Sequence, residues 1–344
     1  MPPLLPAVEA DRLAVAAGLP VAGAATGGGP VTANLPLLGG VFLGWALGSN
    51  DGANVFGTAV SSRMVRFRTA VILASIFVLI GSVVGGAPGI RTRHGLSAGG
   101  AGSAMMVTFV AAAVVTAMTW LKLPVSTSQA VVGAILGAGL ATDAGAVRWG
   151  VLGKVVSAWV AAPLAAGIIA LVLYPLLGRL LDGLHLSLIR RSQVLRACLI
   201  VSGSFGAYAL GANNVANVVG AFYGTAPFGQ RADLWALLGG AAITLGIVTY
   251  SRRVMFTVGS SLVQLDAFSA LVAVISQATT VLILAHVGVP VSTSTAIVGA
   301  VLGIGILKGV RTIDLRTLRR IVSGWIGTPL LAGAVAYAAA WALR

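Results

Sequence analysis

The sequence predicts an all-α membrane protein of about ten transmembrane segments, arranged as two inverted-topology repeats with broken or re-entrant helices. Three observations predict it. A mean hydropathy of +0.99, with 58% hydrophobic residues over 344 positions, exceeds what a core surrounded by water requires. Apolar runs approach the ~20 residues a helix needs to cross a bilayer, and they are too long and too free of period-two alternation to be barrel strands. Helices are then the way to satisfy backbone groups in lipid. Finally, groups of polar and small residues recur in the same order in the two halves of the chain.

Residues 1–34, with Gly27-Gly28-Gly29-Pro30, read as a flexible N-terminal tail. Leu13 to Val21 is too short and too broken by Gly and Pro for a signal peptide. The first repeat follows over 35–174, then a cytoplasmic linker over 175–195 with Pro175, Asp182, Arg190 and Arg191, then the second repeat over 196–344. Long apolar runs lie near 69–90, 101–121, 151–173, 232–250, 262–287 and 321–343. Shorter or interrupted ones lie at 35–62, 124–142, 196–222 and 290–307, and whether 124–142 and 290–307 span or re-enter is open. The duplication is explicit. Asn50 and Asn213 are 163 residues apart, while Pro124 and Pro290, and Trp159 and Trp325, are each 166 apart. Five crossings per half would place the second half upside down relative to the first, an arrangement common in secondary transporters.

The net charge of +14 comes from basic residues scattered among short loops without aromatic interleaving, so it reads as topology and not as a nucleic-acid surface. With the N-terminus outside, Arg63, Arg66, Arg68, Lys122, Arg179, Arg190, Arg191, Arg196, Arg252, Arg253, Lys308, Arg311, Arg316, Arg319 and Arg320 fall on the cytoplasmic side. These are 15 of the 22 Lys and Arg, and Arg91 with Arg93 fits that pattern less well. Arg63 reads as a cytoplasmic anchor. Cys198 is the single cysteine and can form no internal disulfide. His94, His185 and His286 share no ligand spacing, so no metal site is expected beyond a sodium ion.

Two motifs carry chemistry. Gly48-Ser49-Asn50-Asp51-Gly52-Ala53-Asn54 returns as Gly211-Ala212-Asn213-Asn214-Val215-Ala216-Asn217. An acid at a helix centre costs ~2.5–3.5 kcal/mol even on the lenient insertion scale, so Asp51 requires a partner or a wet cavity. The asparagines supply carbonyl oxygens and amide donors, and the glycines let a helix unwind or let backbones approach closely. Unwound carbonyls together with Asp51 would ligate a hard cation. In the second motif, Pro124-Val125-Ser126-Thr127-Ser128 matches Pro290-Val291-Ser292-Thr293-Ser294. Proline suits a first helical turn, so both runs should open helices whose N–H groups and hydroxyls cradle an oxyanion. Capping and small-residue packing are the structural alternative. Asp266 reads as a helix cap, and Gln264 and Gln277 as packing groups.

The paired Gly-x-Asn-(Asp/Asn)-x-Ala-Asn and Pro-Val-Ser-Thr-Ser segments resemble the signatures of the Pit-type inorganic phosphate transporter family, over about residues 36–343. The resemblance implies a multi-pass permease of the plasma membrane that imports inorganic phosphate with a cation, Na+ or H+, as a homodimer. It implies that Asn50, Asp51, Asn54, Asn213, Asn214 and Asn217 line the substrate and cation region, with Asp51, Asn54, Asn214 and Asn217 as cation ligands. Ser126, Thr127, Ser128, Ser292, Thr293 and Ser294 would donate to phosphate oxygens. Family members often carry a second Asp and a His after each hydroxyl run, where this chain has Asn214, Gln129 and Thr295. Sulfate is the alternative substrate and a channel the alternative class. Enzyme chemistry is not expected, since no base or second acid accompanies the serines in the apolar segments.

Overall fold

The computed structural model describes residues 35–94, 101–121, 125–142, 149–261, 265–289, 291–309 and 315–343. The expected N-terminal tail, Pro124, Pro290 and Gln264 lie outside the described residues. Those described form eleven α-helices and no strand. In the first half these are α1 (Leu37–Ser61), α2 (Phe67–Gly85), α3 (Ala87–His94), α4 (Ala101–Trp120), α5 (Thr127–Thr142) and α6 (Trp149–Gly183). In the second half they are α7 (Leu188–Val219), α8 (Ala232–Ser261), α9 (Ala267–His286), α10 (Thr293–Lys308) and α11 (Leu315–Ala342), with a 3-10 turn at Gly220–Phe222 after α7. Residues 175–195 hold the end of α6, a four-residue turn and the start of α7.

The protein is a multi-pass membrane protein. Seven helices (α2, α4, α6, α7, α8, α9 and α11) are long and apolar enough to cross a bilayer. Their outward faces carry large apolar side chains such as Ile72, Leu164, Leu180 and Leu330, which suit lipid contact. The remaining three of the ten expected segments are α1, α5 and α10. Helix α1 has 25 residues, with Asn50, Asp51 and Asn54 in its midst. Helices α5 and α10 have 16 residues each. At 1.5 Å per residue they rise about 24 Å, short of a hydrocarbon core about 30 Å thick.

The duplication in sequence becomes a duplication in packing. Helix α1 packs on α8 while α7 packs on α2, and α5 packs on α11 while α10 packs on α6. Each half therefore lends helices to the other. At Gly48 the backbone of α8 comes so close that a methyl group would strike the Ile243 carbonyl oxygen; at Gly211 one would strike that of Val78. The second close approach repeats the first, one half further along the chain.

This packing corrects one expectation. Helices α1 and α7 run unbroken through their motifs, and the glycines admit a neighbouring backbone where unwinding was the other option. Backbone carbonyls stay within the helical ladder, so the chemistry at this level falls to side chains.

Candidate functional site

The hydroxyl runs open helices as expected, two residues after Val125 and Val291. Ser292 caps α10, its hydroxyl accepting from the Thr295 N–H at 3.2 Å, and the Ser126 hydroxyl accepts from the Gln129 N–H at 3.4 Å. Ser126, Thr127, Ser128, Ser292 and Thr293 are all buried, and Ser294 is half-buried. Ser126 and Ser128 place their hydroxyls 3.4 Å apart. The runs therefore face protein and not lipid.

The first motif meets the hydroxyl run of the opposite half. Thr293 donates to one oxygen of Asp51 at 3.2 Å, and Asn50 donates to the other at 3.1 Å. One turn along α1, the Asn54 amide donates to the Ser294 hydroxyl at 3.0 Å. Asp51 is 3% exposed and forms no ion pair among the described residues, so its charge rests on hydroxyl and amide donors. A buried carboxylate with incomplete compensation is a natural seat for a cation.

The second motif is wired differently. Asn213 clasps the backbone just before α10, donating to the Val291 carbonyl at 2.7 Å and accepting from its N–H at 2.9 Å. The Asn214 carbonyl oxygen accepts from Asn213 at 3.3 Å and from Asn217 at 3.0 Å. Asn217 in turn accepts from the guanidinium of Arg93. Asn213, Asn214 and Asn217 are each 1% exposed, as is Arg93. The side-chain oxygens that cation coordination by Asn214 and Asn217 needs are thus already engaged by donors, and a guanidinium stands beside them.

Arg93 is the residue that sequence reasoning missed. Flanked by Pro88, Gly89, Arg91 and His94, it resembles a loop cation; the structure instead buries it where α3 packs against α7 and the 3-10 turn. That explains its poor fit to the loop-charge pattern. Arg63, by contrast, is exposed after α1.

Three lower-ranked groups also resolve. Asp266 sits at the cap position of α9 but makes no capping bond; its carboxylate accepts from Ser269 and, at 2.7 Å, from Lys308 at the end of α10. An available ammonium outcompetes a neutral N–H. Gln277 is wholly buried, with neither amide atom partnered. Gln129 and Thr295, which stand where relatives often carry His, are buried; the carbonyl oxygen of Gln129 has no partner, whereas Thr295 donates to the Ser292 carbonyl at 2.9 Å.

A motif of one acid and two amides and its all-amide counterpart both reach the hydroxyl-capped start of α10. The sequence matches the phosphate transporter family over residues 47–336. The chain belongs to that family. Among its relatives is a protein of Methanocaldococcus jannaschii titled "Putative phosphate permease", 30% identical, with the match covering 88% of this chain and 95% of the relative. A protein of the same title from Pyrococcus furiosus is 28% identical over 88% of this chain and 94% of its own length. The fold is shared with a solved structure titled "The sodium-dependent phosphate transporter", with a TM-score of 0.76, 24% identity, and coverage of 90% of this chain and 98% of the other.

Proposed function

We propose that this member of the phosphate transporter family is a secondary transporter that imports inorganic phosphate across the plasma membrane, coupled to a cation, by alternating access. The observation that carries the reading is the clasp of Asp51 by Thr293 at 3.2 Å. It joins the acidic motif of one half to the hydroxyl-capped helix start of the other. In an alternating-access cycle the halves exchange conformations around a shared midplane site, so contacts between halves at that site are the ones remade each turn.

In this reading Asp51 and Asn54 hold the cation, and the hydroxyls of Ser126, Thr127, Ser128, Ser292, Thr293 and Ser294 donate to the anion. Asn50, Asn213, Asn214 and Asn217 complete the lining. Phosphate at neutral pH retains P–OH protons that need an acceptor, which Asp51 can supply; sulfate has none to donate. The two halves sit in opposite orientations in the bilayer, consistent with five segments in each and with the exchanged packing of α1 on α8 and α7 on α2. The family is named for phosphate, and the solved structure that shares the fold is named for phosphate and sodium.

Uptake of labelled phosphate by proteoliposomes tests the reading. Accumulation driven by an inward sodium or proton gradient, and inhibited by excess phosphate more than by sulfate, is the expected result. Absence of uptake under either gradient would sink it.

A further inference from the structure

The first motif holds one acid, Asp51, and the second is met by one basic residue from α3; each is buried and without an opposite charge among the described residues. Arg93 is the base. Its Nη2 donates to Asn217, while its Nε and Nη1 are buried with no partner. Leaving two guanidinium donors unmet in a dry place is costly, and proteins keep such a group where something else completes it.

The direction of the chain it starts is set by chemistry. A guanidinium has donors only, so the atom it meets on Asn217 must be the carbonyl oxygen. The amide nitrogen of Asn217 is thereby turned to Asn214, and can only meet that residue's oxygen. From the other side Asn213, fixed at both ends by the Val291 backbone, also donates to the oxygen of Asn214. Both neighbours therefore force the Asn214 amide nitrogen outward, and this Nδ2 is buried with no partner. Thr127, at the start of α5, is likewise buried with its hydroxyl unpartnered, and α5 packs against α7. By the repeat, Asn214 and Thr127 are the counterparts of Asp51 and Thr293, which bond each other. In the first half a hydroxyl meets a carboxylate; in the second a hydroxyl and an amide N–H both wait for an acceptor.

We propose that Arg93 is a positioning residue, the fixed positive end of a one-way amide chain that holds Asn214 Nδ2 as a donor to a tetrahedral oxyanion. The motif of α7 is then an anion half-site and the motif of α1 the cation half-site. The counterpart of Arg93 in the second half, 166 residues on, is Gly259, so the first motif receives no such charge. This inference rests on the transport reading above.

Full-length wild type, Arg93→Gln, Arg93→Lys and Asn217→Asp, reconstituted in proteoliposomes, test it by phosphate uptake over a range of phosphate and of coupling cation. Arg93→Gln should raise the KM for phosphate about tenfold or more, since a hydrogen bond to a charged group contributes that much. Vmax and the half-maximal cation concentration should stay near the wild-type values, because the cation sits at Asp51. Arg93→Lys, which keeps the charge and the direction of donation, should return KM to within about threefold of wild type. Asn217→Asp preserves the acceptor for Arg93 but cannot donate to Asn214, so it should weaken phosphate as Arg93→Gln does, and it serves if the glutamine variant does not fold. An unchanged phosphate KM in Arg93→Gln or in Asn217→Asp overturns the proposal, as does equal weakening of phosphate and cation. Absence of uptake by the wild type is a different result, which removes the transport reading and this inference together.

Discussion

The α1 motif and the α7 motif share a sequence pattern and do opposite things with charge. Around Asp51 both hydrogen bonds are donors aimed at the carboxylate, one from Asn50 beside it and one from Thr293 on α10 in the other half. Around Asn214 every bond is a donor aimed at an amide oxygen, and the chain of donors ends on Arg93. A single change of acid to amide would leave a weaker copy of the first site. In the proposed reading, the acid-to-amide difference together with a buried arginine makes a complementary one, negative facing a cation and positive facing an anion. The lesson is that a duplicated motif is best understood through the sign of what each copy leaves unpaired.

The comparison can be broken most severely at Asp51. Asp51→Asn makes the first motif as neutral as the second, and coupled phosphate uptake should fall about a hundredfold or more while the protein still purifies as a folded species, since losing a charged transport ligand exceeds the loss of one ordinary hydrogen bond. Wild-type uptake in this variant would remove Asp51 from the mechanism. Next in size, Asn214→Asp gives the second motif the acid of the first. The carboxylate would draw the charge of Arg93 and repel the anion, so the phosphate KM should rise about tenfold, and uptake should become more steeply dependent on cation concentration.

Packing supplies a symmetric control. Gly48→Val and Gly211→Val each drive a side chain into a carbonyl of the partner helix, Ile243 or Val78 respectively. Both should lower the detergent-solubilised melting temperature, and by similar amounts; a large loss in one only would show that the two close approaches are not equivalent. The smallest expected effect is that of Thr293→Val, which removes one 3.2 Å donor from Asp51 and should weaken cation activation about three- to tenfold; unchanged cation activation would show that this contact plays no part in the cation site.

Much of this was legible in the residues alone. Composition and run length set the helical membrane class, and the spacing of Asn50 to Asn213 and Trp159 to Trp325 marked the halves. The hydroxyl runs announced the helix starts at Thr127 and Thr293. What escaped was tertiary. Glycine in a polar motif signals either unwinding or close approach, and only the presence of Ile243 and Val78 against Gly48 and Gly211 decides for approach. Arg93 was hidden because a basic residue among Pro, Gly and His has the local signature of a loop, while its burial depends on α7 and the turn after it, more than a hundred residues away. The loss of Asp266 as a cap has the same origin: Lys308, from another helix, offers a stronger partner. Local patterns report what a segment can do, and the neighbour chooses among the options.

The most direct measurement is the position of a heavy tetrahedral oxyanion in the folded protein. In crystals of the full chain soaked with arsenate, the account predicts one anomalous peak within hydrogen-bonding distance of Asn214 Nδ2 and the Thr127 hydroxyl. Arsenate bound away from both hydroxyl-capped helix starts would contradict it.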